Sequence, residues 1–62
     1  MFHSDQLIPW VVELWRGDEL VKRVYVDNAK DEEAAIERVL IRLIMDRSPL
    51  LPPEITFVAR RR

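Results

Sequence analysis

The 62-residue chain has no cysteine, one glycine and one histidine. Without cysteine there is no disulfide framework, no thiolate cluster for zinc and no thiol nucleophile. One glycine is too few for the phosphate-cradling loops, which need several at set spacings. No apolar run approaches the ~20 residues of a membrane helix. The opening residues lack the basic region and apolar stretch of a secretory signal. The expectation is a single small, soluble, cytoplasmic domain over residues 1–62, with no metal and no cofactor.

What is present is apolar residue. It makes up 48% of the chain, too much for a disordered segment. A chain this short buries only about 60% of the surface that its unfolded form exposes. Domains of this size usually gain stability from disulfides, a metal or association. Disulfides are excluded, and metal ligands are few. His3, Ser4 and Asp5 are consecutive in an unpatterned start, residues 1–6, whereas a catalytic triad draws its members from different elements. One imidazole and one carboxylate leave a zinc site unfilled. Association is the remaining choice.

Residues 8–15 and 20–26 are rich in β-formers, with Pro9 near the start of the first run, where a strand tolerates it. Between them, Gly17-Asp18 suits a two-residue type II′ hairpin loop, because glycine reaches positive φ cheaply. That turn sets a register with Trp15 opposite Leu20, Glu13 opposite Lys22 and Trp10 opposite Tyr25. The last two are an ion pair and an aromatic pair, each worth roughly 0.2–1 kcal/mol. One face then carries Trp10, Val12, Leu14, Val21 and Tyr25, interrupted by Arg23. The other carries Val11, Trp15, Leu20, Val24 and Val26, interrupted by Glu13 and Lys22. A sheet covered by one helix should be apolar on one face only; here both are.

Asp31 is the expected helix N-cap, with Asn28 as the alternative. Glu32 and Glu33 follow at the positive end of the macrodipole. The helix should run to about Arg47 and stop at Ser48, because Pro49 restricts the residue before it. Helical spacing gathers Ile36, Leu40 and Leu43 into a core stripe, flanked by Ala35, Val39 and Ile44. Ala34, Ile41 and Met45 form a second stripe nearly opposite, with no use inside a monomer. Residues 48–53 read as a stiff connector. Residues 54–59 read as a strand, with Ile55, Phe57 and Ala59 pointing one way and Thr56 and Val58 the other. Residues 60–62 read as a basic tail. The fold class is α+β: a small ββαβ domain with a three-stranded antiparallel sheet in order 3-1-2 and one helix packed on one face. Order 1-2-3, with a right-handed parallel crossover, is the competitor.

The short motifs have plainer explanations than their chemical ones. Asp27, Asp31, Glu32 and Glu33 lack the alternating ligands and central glycine of a calcium loop; capping and dipole compensation account for them. Arg16-Gly17-Asp18 matches the integrin-recognition tripeptide, but the turn itself calls for those residues. Residues 49–53 contain a P-x-x-P pattern without a basic residue at the usual distance, which suits a rigid linker. A three-stranded domain has little room for a pocket of ~300 Å³, so the chain is expected not to be an enzyme.

The charges divide unevenly. Residues 1–33 hold eight acids and four bases, and residues 34–62 hold three acids and six arginines. Arginine forks bind phosphate and carboxylate, so nucleic-acid binding through the second half is one alternative. A net charge of −1 argues against it, since dedicated nucleic-acid domains tend to be basic. A structural subunit of a larger homomeric assembly is another. The favoured expectation is a non-enzymatic, self-associating protein-binding module that docks on and occludes a macromolecular partner. Size and lack of catalytic chemistry point toward the accessory or inhibitor proteins of phages and mobile elements. The expected contact residues are Trp10, Val12, Leu14 and Tyr25 on the sheet and Ile41 and Met45 on the helix, with Arg38 and Arg42 at the rim. Trp15 is the reserve, since the two tryptophans have opposite strand parity and point to opposite faces.

Overall fold

The structure, a computed structural model, describes residues 7–62. The His3-Ser4-Asp5 segment and the rest of residues 1–6 lie outside the described residues. Among the described residues four elements follow in order: β1 (Ile8–Arg16), β2 (Glu19–Ala29), α1 (Glu32–Met45) and β3 (Thr56–Arg61). The strands form one antiparallel sheet in order β2-β1-β3, with the helix against one face. This is the ββαβ arrangement in order 3-1-2 read from the sequence. The most apolar strand takes the centre, where both of its edges are paired.

The hairpin closes through Gly17 at φ 61°, and Asp18 is not left-handed, as a type II′ turn requires. Trp15 stands opposite Leu20, as expected. Beyond that pair the register slips, because Leu14 pairs with Lys22 and leaves Val21 as an extra residue on β2. A bulge of this kind reverses the phase of everything after it. Glu13 therefore meets Arg23 instead of Lys22, and Trp10 meets Val26 instead of Tyr25. The expected Trp10–Tyr25 pair does not form. A second extra β2 residue lies between the Trp10–Val26 and Ile8–Ala29 pairs. It restores the phase, and Ala29 joins Val26 in the core.

The core lies between the helix and one sheet face. Trp10, Val12, Leu14 and Val26 supply the sheet side, and Ala35, Val39 and Leu43 the helix side. Ile55 closes one end, and Phe57 and Ala59 pack beside it, with the parity expected of the third strand. The indole Nε1 of Trp10 donates a buried 2.9 Å hydrogen bond to the Ala29 carbonyl, so burying this ring leaves no unsatisfied donor.

Asp31 caps the helix as expected, its carboxylate accepting from the Ala34 amide at 2.8 Å. The helix ends at Met45 with Asp46 as C-cap, slightly earlier than expected. The Arg47 amide donates to the Ile44 carbonyl at 3.1 Å and the Ser48 amide to Leu43 at 2.8 Å. With Arg47 at φ 56°, this is a Schellman motif whose left-handed residue is not glycine. In the connector, Leu50 and Leu51 pack against the core. No helix among the described residues is long and apolar enough to cross a membrane.

Candidate functional site

The bulge decides which residues are available to a partner. Trp10, Val12 and Leu14, expected on a docking surface, are 4%, 0% and 0% exposed. They sit beneath the helix and cannot touch another molecule without unfolding the domain. Opposite strand parity put the two tryptophans on different faces. The helix covers Trp10, so Trp15, the reserve candidate, is the one on the open face.

That open face is built from alternate residues of all three strands. Val11, Glu13 and Trp15 come from β1, with Arg23 and Tyr25 beside them on β2 and Val58 and Arg60 on β3. Glu13, at the centre, is only 8% exposed. Arg60 Nε donates to its Oε1 at 3.0 Å, Trp15 Nε1 donates to the same oxygen at 3.2 Å, and Arg23 Nε lies 3.7 Å from Oε2. The hydrogen bond from Arg60, then that from Trp15, then the positive charges of Arg60 and Arg23 hold the Glu13 carboxyl below its ordinary range, against the opposing effect of burial. A carboxylate held ionised and covered in this way is a poor general acid, which would need the opposite shift. Its role is to join three strands on the face that the helix leaves bare.

The arginines of residues 60–62 are not a free tail. Arg60 and Arg61 belong to β3. The Arg61 guanidinium lies 5.9 Å from the Trp10 ring centroid, and that of Arg62 lies 4.8 Å from the Tyr25 ring. The Arg62 amide also donates to the Pro9 carbonyl at 3.1 Å. Sequence reasoning missed these contacts because the partners are far apart along the chain, Arg60 and Glu13 by 47 residues. A signal did exist: Arg60 continues the alternation of Thr56 and Val58 and so falls on the side of the acidic residue.

The helix presents a further apolar surface, and Leu7 ahead of β1 is also exposed. Ile41, Ile44 and Met45 are 50%, 56% and 76% exposed, and Ile44 and Met45 follow Ile41 by three and four residues, on the same side of the helix. Ile41 and Met45 are where the second stripe placed them. Ile44, expected at the edge of the core stripe, joins them. Ala34, expected in the second stripe, packs against the core. The buried helix face is centred on Ala35, Val39 and Leu43; Leu43 is where it was expected, and the flanking Ala35 and Val39 take the central place expected of Ile36 and Leu40. Arg38 and Arg42 flank this surface and border a groove between the helix and the edge of β2, where Val24, Tyr25 and Asp27 line the other side. Tyr25 is 60% exposed. Among the described residues, no group of three or more histidine, cysteine or acidic side chains is placed to hold a metal ion.

Comparison with family models, curated proteins and solved structures finds no match to this chain.

Proposed function

We propose that this chain is a non-enzymatic protein-binding module that self-associates and acts by docking on, and occluding, another protein. The observation that carries the reading is the stripe of Ile41, Ile44 and Met45, three large apolar side chains turned to solvent on a helix whose opposite face is already buried. Leaving such side chains in water forgoes roughly 1.5–3 kcal/mol each of burial free energy. A contiguous exposed apolar strip rimmed by charge is the usual mark of a protein-interaction surface. Arg38 and Arg42 at its flank favour a partner whose apolar groove carries carboxylates at its edge, because arginine pairs with carboxylate in a fixed fork. The proposal sets the protein in the cytoplasm, where a small domain without disulfides is ordinary.

Nucleic-acid binding draws less support. Arg60, Arg61 and Arg62 are occupied by Glu13, Trp10 and Tyr25, so half of the arginines counted toward that reading already have partners within the sheet.

The experiment compares the full chain with its Ile41→Glu, Met45→Glu double variant. A partner that co-purifies with the chain is purified and reconstituted with each, at salt from about 50 to 500 mM. The expected result is binding by the unaltered chain that hardly changes with salt, and loss of at least about tenfold in affinity for the variant with its thermal melt preserved. Equal affinity for both chains overturns the proposal. So does recovery of nucleic acid whose binding falls steeply with salt.

A further inference from the structure

We infer that the outer edge of β2 pairs with the same edge of a second copy, antiparallel and centred on Tyr25, to make one continuous six-stranded sheet. The inference rests on the self-association proposed above and names its surface. Among the described residues, β2 is the longest strand, at eleven residues, and lies at the sheet edge with only β1 beside it. Edge strands that are meant to stay single are usually short, bulged, charged or interrupted by proline. β2 is long and has no proline, and between its two bulges Lys22 to Val26 runs in regular register.

The residues on this edge are complementary to themselves. Read antiparallel, Arg23-Val24-Tyr25-Val26-Asp27 matches its own reverse. A two-fold axis through Tyr25 sets Arg23 opposite Asp27, Val24 opposite Val26 and Tyr25 opposite Tyr25, with the first two pairs occurring twice by symmetry. Moving the axis to Val24 sets Val26 against Lys22 and loses both ion pairs. Moving it to Val26 sets Tyr25 against Asp27 and leaves Arg23 against Ala29.

The pairing also extends rows that exist within one copy. On the helix side, Val12 faces Val24 and Trp10 faces Val26, so the join gives an unbroken row of Val12, Val24, Val26 and Trp10 across the two copies. Val24 is only half-buried in one copy, and the join covers it. On the open side, Glu13 faces Arg23, and the Asp27 of the second copy would extend this to alternating charges. Opposite charges directly across a ladder stabilise it. The two-fold axis is normal to the sheet, so both helices lie on the same side and their outer stripes stay free.

The absence of cysteine makes the test direct. Directly opposed residues in an antiparallel pair have Cα atoms about 4.5–5.5 Å apart, within the span of a disulfide. A Tyr25→Cys chain therefore oxidises to a covalent dimer only through position 25 meeting itself. Because Tyr25 is exposed, the substitution leaves the core intact. At ~10 µM the expected rate is about tenfold or more above those of Met45→Cys and Glu19→Cys, which meet only by collision. In sedimentation, Asp27→Arg is expected to weaken the dimer of the cysteine-free chain about tenfold, because two favourable pairs become repulsive. If the unaltered chain dimerises but Tyr25→Cys cross-links no faster than the controls, the edge pairing is overturned while self-association stands. A faster Met45→Cys reaction likewise overturns it and moves the contact to the helix. A chain that stays monomeric at ~100 µM overturns both the pairing and the self-association, leaving the docking stripe to its own test.

Discussion

Arg47 occupies a backbone conformation that suits glycine, and replacing it gives a measurable test of the helix end. Its φ is 56°, and its amide and that of Ser48 close the Schellman pair on Ile44 and Leu43. Left-handed backbone costs an ordinary L-residue roughly 1–2 kcal/mol, because Cβ crowds the following carbonyl. Glycine avoids that cost but loses about 0.4–1 kcal/mol through the larger freedom of its unfolded chain. Removing arginine also forfeits a favourable interaction with the helix C-terminus, about 0.3 kcal/mol at an exposed site. Comparing Arg47→Gly with Arg47→Ala cancels the charge contribution and leaves the backbone one. The glycine variant is expected to be the more stable by about 1 kcal/mol, since alanine keeps the Cβ. For a domain of this size that is a difference of about 4–8 °C in Tm. Circular dichroism melts at one fixed protein concentration read it, because the self-association proposed above would also shift Tm. An alanine variant as stable as the glycine variant would refute the left-handed assignment at Arg47.

Two further perturbations test the interior and the open face. Leu14→Ala is expected to cost about 2–5 kcal/mol, a large share of what a small domain has, and so to unfold the chain at moderate temperature. A folded Leu14→Ala chain with impaired partner binding would return Leu14 to the surface and refute the helix-side core. For Glu13, the folded carboxyl titrates below its ordinary value of 4.5, so its contribution is complete above that value and is lost as pH falls through the lower folded one. Tm is therefore expected to hold from neutral pH to about 5 and then to fall. Glu13→Gln should lower Tm at pH 7 and flatten the drop below pH 5, as measured by melts across that range. An unchanged acid limb in the variant would show that the Arg60 and Trp15 hydrogen bonds do not set it.

The fold was legible where the cause is local. Asp31 before two glutamates marks a helix start, Gly17-Asp18 marks a tight turn, and the alternation of Ile55, Phe57 and Ala59 fixes which way the third strand faces. The apolar character of residues 8–15 correctly put that strand at the sheet's centre. The register was not legible. A two-residue turn fixes only the pair next to it, and the Val21 bulge lies immediately beyond that pair. Of the eight expected contact residues, Trp10, Val12 and Leu14 belong to the core, while Tyr25, Ile41 and Met45 are exposed and Arg38 and Arg42 border the groove beside β2. All three errors have one origin. The unbulged register left both hairpin faces apolar and nothing to choose between them.

The bulges also explain how a strand with so much apolar character avoids an apolar open face. In the unbulged register, Val24 and Val26 would share the open side with Val11 and Trp15, and Tyr25 would sit under the helix. One extra residue at Val21 turns both valines onto Val12 and Trp10, and the second at the other end keeps Ala29 with them. Tyr25 and Arg23 turn outward in exchange, and Arg23 then reaches Glu13. A central carboxylate that would be costly beside bare valines becomes a hydrogen-bonded junction, because an ionised group near apolar surface is tolerable only when paired. Among the described residues, the most exposed part of the apolar excess read from the sequence therefore lies on α1, at Ile41, Ile44 and Met45, and at Leu7 and Tyr25. Val24 is half-buried along the β2 edge. Those are separate places, so the pairing and the docking proposed above do not compete for one surface.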